Sequence, residues 1–450
     1  MDWLGHDRVS RRTLLHAGML AGGAFAGRSL SAGEALSGGT AKQVVLLFMW
    51  GGPSQIDTFD PKPHAPKEIR GPFATIPTNV PGIQISEHFQ QLAARSDKLC
   101  FIRSMTHDDP AHLSSAHTLL TGQLPPVNYS DNEPPSDRDT PHMGSVMSAL
   151  RPATGALPSS VVMPWQVFHP SAPGGRAPGQ HGGWLGRQYD PFYVLGDPNL
   201  PDWRVPALTL IDGQSPERLS ARQQLLLTLE TQQRRLGETQ PARRVTHEQS
   251  QAFGLLTSAV VRGAFDLQQE TAATRDRYGR NIHGQCVLLA RRLIDHGVPF
   301  VAVNWHNDGH NFWDTHGNNF NRLKDDLIPP SDRAFASLLD DLSASGKLQD
   351  TLVIWAGEFG RAPKINGSTG RDHHPRCYTS VLAGGGVKGG QVYGKSDEFA
   401  ALPADNPVTP HDLAATIYHA LGVPEGMTLP DSTQRPHSVY SGRPLTSLFG

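Results

Sequence analysis

The stretch TLVIWAGEFGR, residues 351–361, decides the class of fold. It runs through Leu352, Val353, Ile354 and Trp355 without polar alternation, reaches Ala356 and Gly357, then presents Glu358 beside Phe359. A strand solvated on one face alternates polar and apolar residues. A strand buried on both faces reads as a continuous apolar run, as in parallel sheets covered by helices. Ligands of open α/β sheets bind just beyond the carboxyl ends of such strands. Glu358 therefore stands where a catalytic or metal-binding carboxylate would, or it is an acid at a loop mouth that only pairs with Arg361.

Moving outward, the same pattern recurs. Residues 44–49 form an apolar run that ends at Gly51-Gly52-Pro53, and LCFIRSMTH (99–107) and PFVAVNWH (299–306) repeat it. A fifth run at 379–390 passes into glycine turns. Between the runs lie helical patterns at 112–122, 282–297, 331–346 and 410–421. Ser331 and Asp332 are expected as N-caps, and Gly122, Gly297, Gly346 and Gly422 as helix stops. Strands alternating with helices predict an α/β domain with a mainly parallel sheet.

Residues 124–215 break the rhythm with Pro, Gly, Asp and aromatic residues, and 216–279 are polar and helical. A long structureless stretch inside a domain is uncommon unless it is a functional loop or cap. We read 124–280 as an insertion over the strand carboxyl ends, within a single domain spanning 41–450.

The 450 residues carry a net charge of −2, which gives no reason to expect nucleic acid or an acidic membrane surface as partner. Three cysteines, an odd and small number, argue against a disulfide framework. SRRTLLHAGMLAGGAFAGRSLSAG (10–33) combines an arginine pair, a Leu/Ala/Gly stretch and small residues suited to cleavage. Residues 1–32 are expected to be a twin-arginine-type signal, read by the twin-arginine export machinery and directing the chain to the periplasm or the extracellular space. No membrane span is expected to remain after cleavage.

Four loops concentrate chemistry. THDDPAHLSSAH supplies His107, His112 and His117; NWHNDGHNFWDTHGNNF supplies His306, Asp308, His310, Asp314 and His316; Glu358 follows a third strand; and GRDHHP supplies Arg371, Asp372, His373 and His374. At the carboxyl edge of a parallel sheet these loops would converge. Imidazole with carboxylate suits Zn²⁺, Mn²⁺ or Fe, while carboxylate oxygens also accept Mg²⁺ or Ca²⁺. No G-x-S-x-G elbow is present.

The order of GGPSQIDTFDPKP, LLTG, MGSVMSAL, GWLGRQYDPF, WDTHGNNF, GEFGRAPKI, GRDHHP and PVTPHDLAATIYHALG along the chain resembles the exported bacterial family known as domain of unknown function 1501. That family looks like a divergent branch of the alkaline phosphatase and sulfatase superfamily. The resemblance implies an alkaline-phosphatase-like three-layer sandwich and hydrolysis of a sulfate or phosphate ester with divalent metal: Zn, Ca, Mg or Mn. It implies metal ligands at Asp57, Asp314, His316, Glu358, His373 and His374. His112 falls at the nucleophile's place, and Arg361 and Arg371 are cations suited to a charged transition state. The sequence departs from the superfamily in three places, the first being that no Cys or Thr sits at the nucleophile position. Trp50 stands where a metal-binding Asp is expected, and Phe359 stands where a metal-binding His is expected. The expected substrate is a small-molecule or polysaccharide ester. The alternative is a non-catalytic exported scaffold or glycan-binding protein that keeps the fold.

Overall fold

A computed structural model describes residues 36, 38–152, 155–172, 176–205, 253–305 and 312–450, with isolated positions between 208 and 225. The expected signal segment and His306, Asp308 and His310 lie outside the described residues.

The framework is an eight-stranded sheet. In chain order its strands are β1 (Gln43–Phe48), β2 (Leu99–Met105), β3 (Ser160–Met163), β4 (Phe192–Tyr193), β5 (Phe300–Asn304), β6 (Thr351–Ala356), β7 (Tyr378–Ala383) and β8 (Gln391–Tyr393). Their spatial order is β8-β2-β7-β6-β1-β5-β3-β4. The apolar runs at 44–49, 299–306 and 351–359 become the three central parallel strands. They are in step: Phe48 of β1 lies opposite Asn304 of β5 and Ala356 of β6. All six residues of β6 and all five of β5 are buried. Removing each of these aliphatic side chains from water contributes about 1.5–3 kcal/mol. Trp355 of β6 also satisfies its indole N–H, which donates to Ser331 Oγ at 3.0 Å.

The principal helices are α1 (His112–Thr121), α2 (Met143–Leu150), α3 (Ile282–Asp295), α4 (Ile328–Ala344) and α5 (Pro410–Ala420). The β2-to-β3 crossover, which carries α1 and α2, runs across the sheet in one direction. The β4-to-β5 and β5-to-β6 crossovers, which carry α3 and α4, run in the other. With right-handed crossovers these opposite directions place the two pairs of helices on opposite faces. The packing agrees, with α3 against α4 and α1 against α5. This is the expected three-layer α/β sandwich with a mainly parallel sheet.

Three local expectations change. First, β7 runs antiparallel to both β6 and β2. In a fully parallel sheet the GRDHHP loop, which precedes its strand, would lie at the amino edge; the reversal of β7 brings it to the carboxyl edge. Second, residues 124–280 do more than cover the strand ends, because they supply α2, β3 and β4, and two of these are strands of the central sheet. SVVM is too short an apolar run to declare itself among prolines and glycines. Third, Ser331 and Asp332 are not N-caps of their own helix. A π-helical segment, Arg322–Leu327, runs directly into α4, and Pro329 and Pro330 fit its first turn, so α4 begins at Ile328. Buried Asp332 instead accepts from the backbone N–H groups of Gln91 and Leu92, at 2.9 and 2.8 Å, and so caps the neighbouring short helix Gln90–Ala93. Gly122 does end α1 as expected, in the left-handed conformation with φ of 73°. Among the described residues no helix is long and apolar enough to cross a membrane.

Candidate metal centre

Four strand-end segments meet at the carboxyl edge. The loop after β2 delivers His112 as the first residue of α1. The segment after β5 delivers Asp314 and His316. Beyond β6, Gly360–Arg361 pairs antiparallel with His373–His374, with His373 opposite Arg361. The turn after β1 supplies Gly51, whose φ is 111° and at which a Cβ would sit 2.2 Å from the Asp314 backbone nitrogen. Only glycine permits that approach, so the GGP turn is what lets the Asp314 loop close over the strand ends.

Glu358 is fully buried. Its Oε1 and Oε2 accept from Gly51 N–H at 2.9 and 3.2 Å. Oε1 also takes the Nδ1–H of His112 at 2.6 Å. An ionised carboxylate is acceptor only, so His112 carries its proton on Nδ1 and aims the Nε2 lone pair away from Glu358. That Nε2 is buried without a hydrogen-bond partner among the described residues and lies 3.5 Å from Asp314 Oδ2.

The same arrangement is built twice more. His373 donates Nδ1–H to the Pro110 carbonyl at 2.8 Å, and His316 donates Nδ1–H to Asp372 Oδ1 at 3.0 Å. Their two Nε2 atoms therefore face each other as acceptors, 2.9 Å apart. Both also face Asp314 Oδ1, at 3.3 Å from His373 and 3.2 Å from His316. Converging lone pairs at these distances repel unless positive charge lies among them. Where no other cation is present, protons answer the demand. Burial disfavours charge on His112, yet its contacts with Asp314 and Glu358 prevail and raise its pKa to about 9. Burial would likewise raise Asp314, but its contacts with His112, His316 and His373, with Arg361 beside them, hold it well below the usual carboxylate range. One ligand atom each from His112, Asp314 and His373 lies within 4.8 Å of the others, the compass of a metal ion.

Several residues expected at the site are placed elsewhere. Asp57 is buried and bound by Arg371 through two contacts, Nε to Oδ2 at 2.7 Å and Nη2 to Oδ1 at 3.0 Å. It also accepts from Ser54 Oγ and Asn319 Nδ2. Its oxygens are thus already occupied, and Arg371, buried in holding them, is not presented to a ligand. His374 turns its Nε2 to the Ala401 carbonyl at 2.7 Å and stays out of the cluster. Arg361 is also buried, and its Nη2 touches Asp314 Oδ1 at 2.5 Å while Nε donates to the Gly52 carbonyl. It orients Asp314. Glu358 belongs behind His112, in the position of a carboxylate that orients a ligating imidazole.

Two features escape a reading of the sequence. Phe359 and Trp50 wall the imidazoles. Phe359 lies 4.8 Å from the His112 ring and 4.6 Å from that of His373, and Trp50 lies 5.0 Å from His112. His169, in the Pro/Gly-rich segment, lies 5.8 Å from His112, and no motif marks it.

The fold and site define a three-layer α/β protein with a His/Asp cluster at the carboxyl edge of its sheet. The chain belongs to the family described as "Protein of unknown function (DUF1501)", which matches residues 41–449. No curated protein matches the sequence. Similar solved structures include the PsFucS1 sulfatase from Pseudoalteromonas sp., 14% identical, covering 86% of this chain and 69% of its own, with a TM-score of 0.40. A protein of the alkaline phosphatase superfamily from Vibrio parahaemolyticus is 10% identical, covering 86% of this chain and 67% of its own, with a TM-score of 0.35. The lipoteichoic acid synthase LtaP from Listeria monocytogenes is 8% identical, covering 86% of this chain and 73% of its own, with a TM-score of 0.38.

Proposed function

We propose that this protein is an exported, metal-dependent hydrolase of a sulfate or phosphate ester. The observation that carries the reading is the convergence of lone pairs at Asp314. Among the described residues His112 Nε2 is buried without a partner, and the Nε2 atoms of His316 and His373 stand 2.9 Å apart with both Nδ1–H groups already committed. His112, Asp314 and His373 would hold the ion, with His316 beside them. An imidazole-rich set suits Zn²⁺ or Mn²⁺ better than Mg²⁺ or Ca²⁺. A divalent cation bound there supplies Lewis acidity at an ester oxygen and lowers the pKa of a coordinated water.

The chain's own residues do the rest. Glu358, Asp372 and the Pro110 carbonyl accept the three Nδ1 protons and so fix each tautomer. Arg361 holds Asp314 in register. We assign His112 to holding the ion rather than to nucleophilic attack, because its Nε2 is directed into the buried cluster. Twin-arginine export accords with a centre loaded before translocation.

Metal content of the purified protein, measured by mass spectrometry and followed by hydrolysis of aryl sulfate and aryl phosphate, tests the reading. About one divalent ion per chain is expected, lost in Asp314→Ala and His373→Ala. A metal-free, inert protein would overturn it. Trp50 and Phe359 at former ligand positions favour the second reading, a non-catalytic scaffold; binding of glycans by an inert protein would establish that one instead.

A further inference from the structure

We propose that His169 is an oxyanion donor of this centre, giving a hydrogen bond from Nε2–H to an oxygen of the anionic group of the substrate. The inference rests on the hydrolase reading and adds a residue from a segment outside the four metal-bearing loops. His169 Nδ1 accepts from the backbone N–H of Ser171 at 3.2 Å. A nitrogen that accepts carries no proton, so the ring's proton is on Nε2, the edge away from its own turn. The ring is partly exposed, tilted 33° to that of His112 at 5.8 Å, and its charged neighbours are Asp131, His112 and Asp314.

The arm that carries His169 is held firmly. Asn304, at the end of β5, donates Nδ2–H to the Trp165 carbonyl at 2.9 Å. Buried Gln180 clamps the hairpin base: its Oε1 accepts from Val167 N–H at 2.6 Å, and its Nε2 donates to the Val167 and Ala177 carbonyls at 2.8 and 3.1 Å. Phe168 and Arg176 pair across the hairpin. A donor already oriented before the reaction loses nothing to reorganisation when charge develops.

The test compares metal-loaded wild type, His169→Ala and His169→Gln by three measurements: bound metal, calorimetric affinity for inorganic sulfate and phosphate, and turnover of nitrophenyl sulfate and phosphate. His169→Ala is expected to keep its metal, lose about 10²–10³-fold in kcat and bind the inorganic anion about tenfold more weakly. His169→Gln, which retains an N–H donor, should recover part of both. Wild-type turnover and anion affinity in His169→Ala would overturn the donor role, as would loss of its metal, which would make His169 a ligand. A wild type that neither turns over these esters nor binds the anions overturns the hydrolase reading, and the donor role with it.

Discussion

Two buried carboxylates at the same sheet edge have opposite fates. Asp57 is saturated: Arg371 grips both oxygens, and Ser54 and Asn319 add further donors. Glu358 takes the Gly51 N–H and the Nδ1–H of His112, and by fixing that tautomer it leaves a lone pair on the far side of the ring that no described residue meets. A carboxylate paired with guanidinium ends a network, since arginine is donor only. A carboxylate paired with imidazole passes the network on, since the ring has a second nitrogen. Acidity and burial alone do not distinguish a structural corner from a functional one; the partner does.

The largest effect should come from breaking the saturated corner. Asp57→Ala strands the Arg371 guanidinium in the interior and is expected to cost about 3–5 kcal/mol in urea denaturation. Replacing Asp57 and Arg371 together with apolar residues of similar volume should cost less than the single change, and an equal or greater loss in the double variant would show that the pair itself stabilises the fold. Next, Glu358→Gln should weaken metal affinity about 10–100-fold. It acts by loosening the His112 tautomer, so the folded protein should survive and calorimetric titration with Zn²⁺ should reveal the loss. An unchanged affinity would remove Glu358 from the centre.

A further test concerns Asp332, a third buried carboxylate, which among the described residues accepts from backbone N–H groups. Burial raises its pKa from 3.8 to about 6 despite the hydrogen bonds from Gln91 and Leu92. The unfolded chain therefore releases this proton at lower pH than the folded one. Its contribution to stability is full below pH 3.8 and is lost as pH rises through about 6. Asp332→Asn should flatten that part of the stability–pH curve in denaturation midpoints taken across the window. A slope equal to that of wild type would mean that backbone donors satisfy a carboxylate as fully as Arg371 does.

Much of the fold was legible in the sequence because strands buried on both faces must be continuously apolar. LVIW at 352–355 and VVLLF at 44–48 announce the central strands, and glycine stops such as Gly122 close the helices between them. SVVM within 124–280 was hidden by its shortness, and the start of α4 by a π-helical turn that carries the chain through Pro329 and Pro330. In the site, Asp314, His316, His373 and His112 stood out because a strand-end loop loaded with imidazole and carboxylate has a chemical purpose. Asp57, Arg371 and His374 carried the same signal and went elsewhere. Residue type states what a side chain is able to bind, not what reaches it first.

The sequence by itself determined the α/β class, the placing of its chemistry at strand ends and the family's motif order, since hydrophobic period and loop composition are local properties. Tertiary structure decided the rest. The reversal of β7 brought His373 to the shared edge, the close approach at Gly51 set Asp314 over the strands, and Arg371 rather than an open position met Asp57. Each is a contact between residues far apart in the chain, and which nitrogen of an imidazole remains available depends on the one neighbour that takes the other's proton.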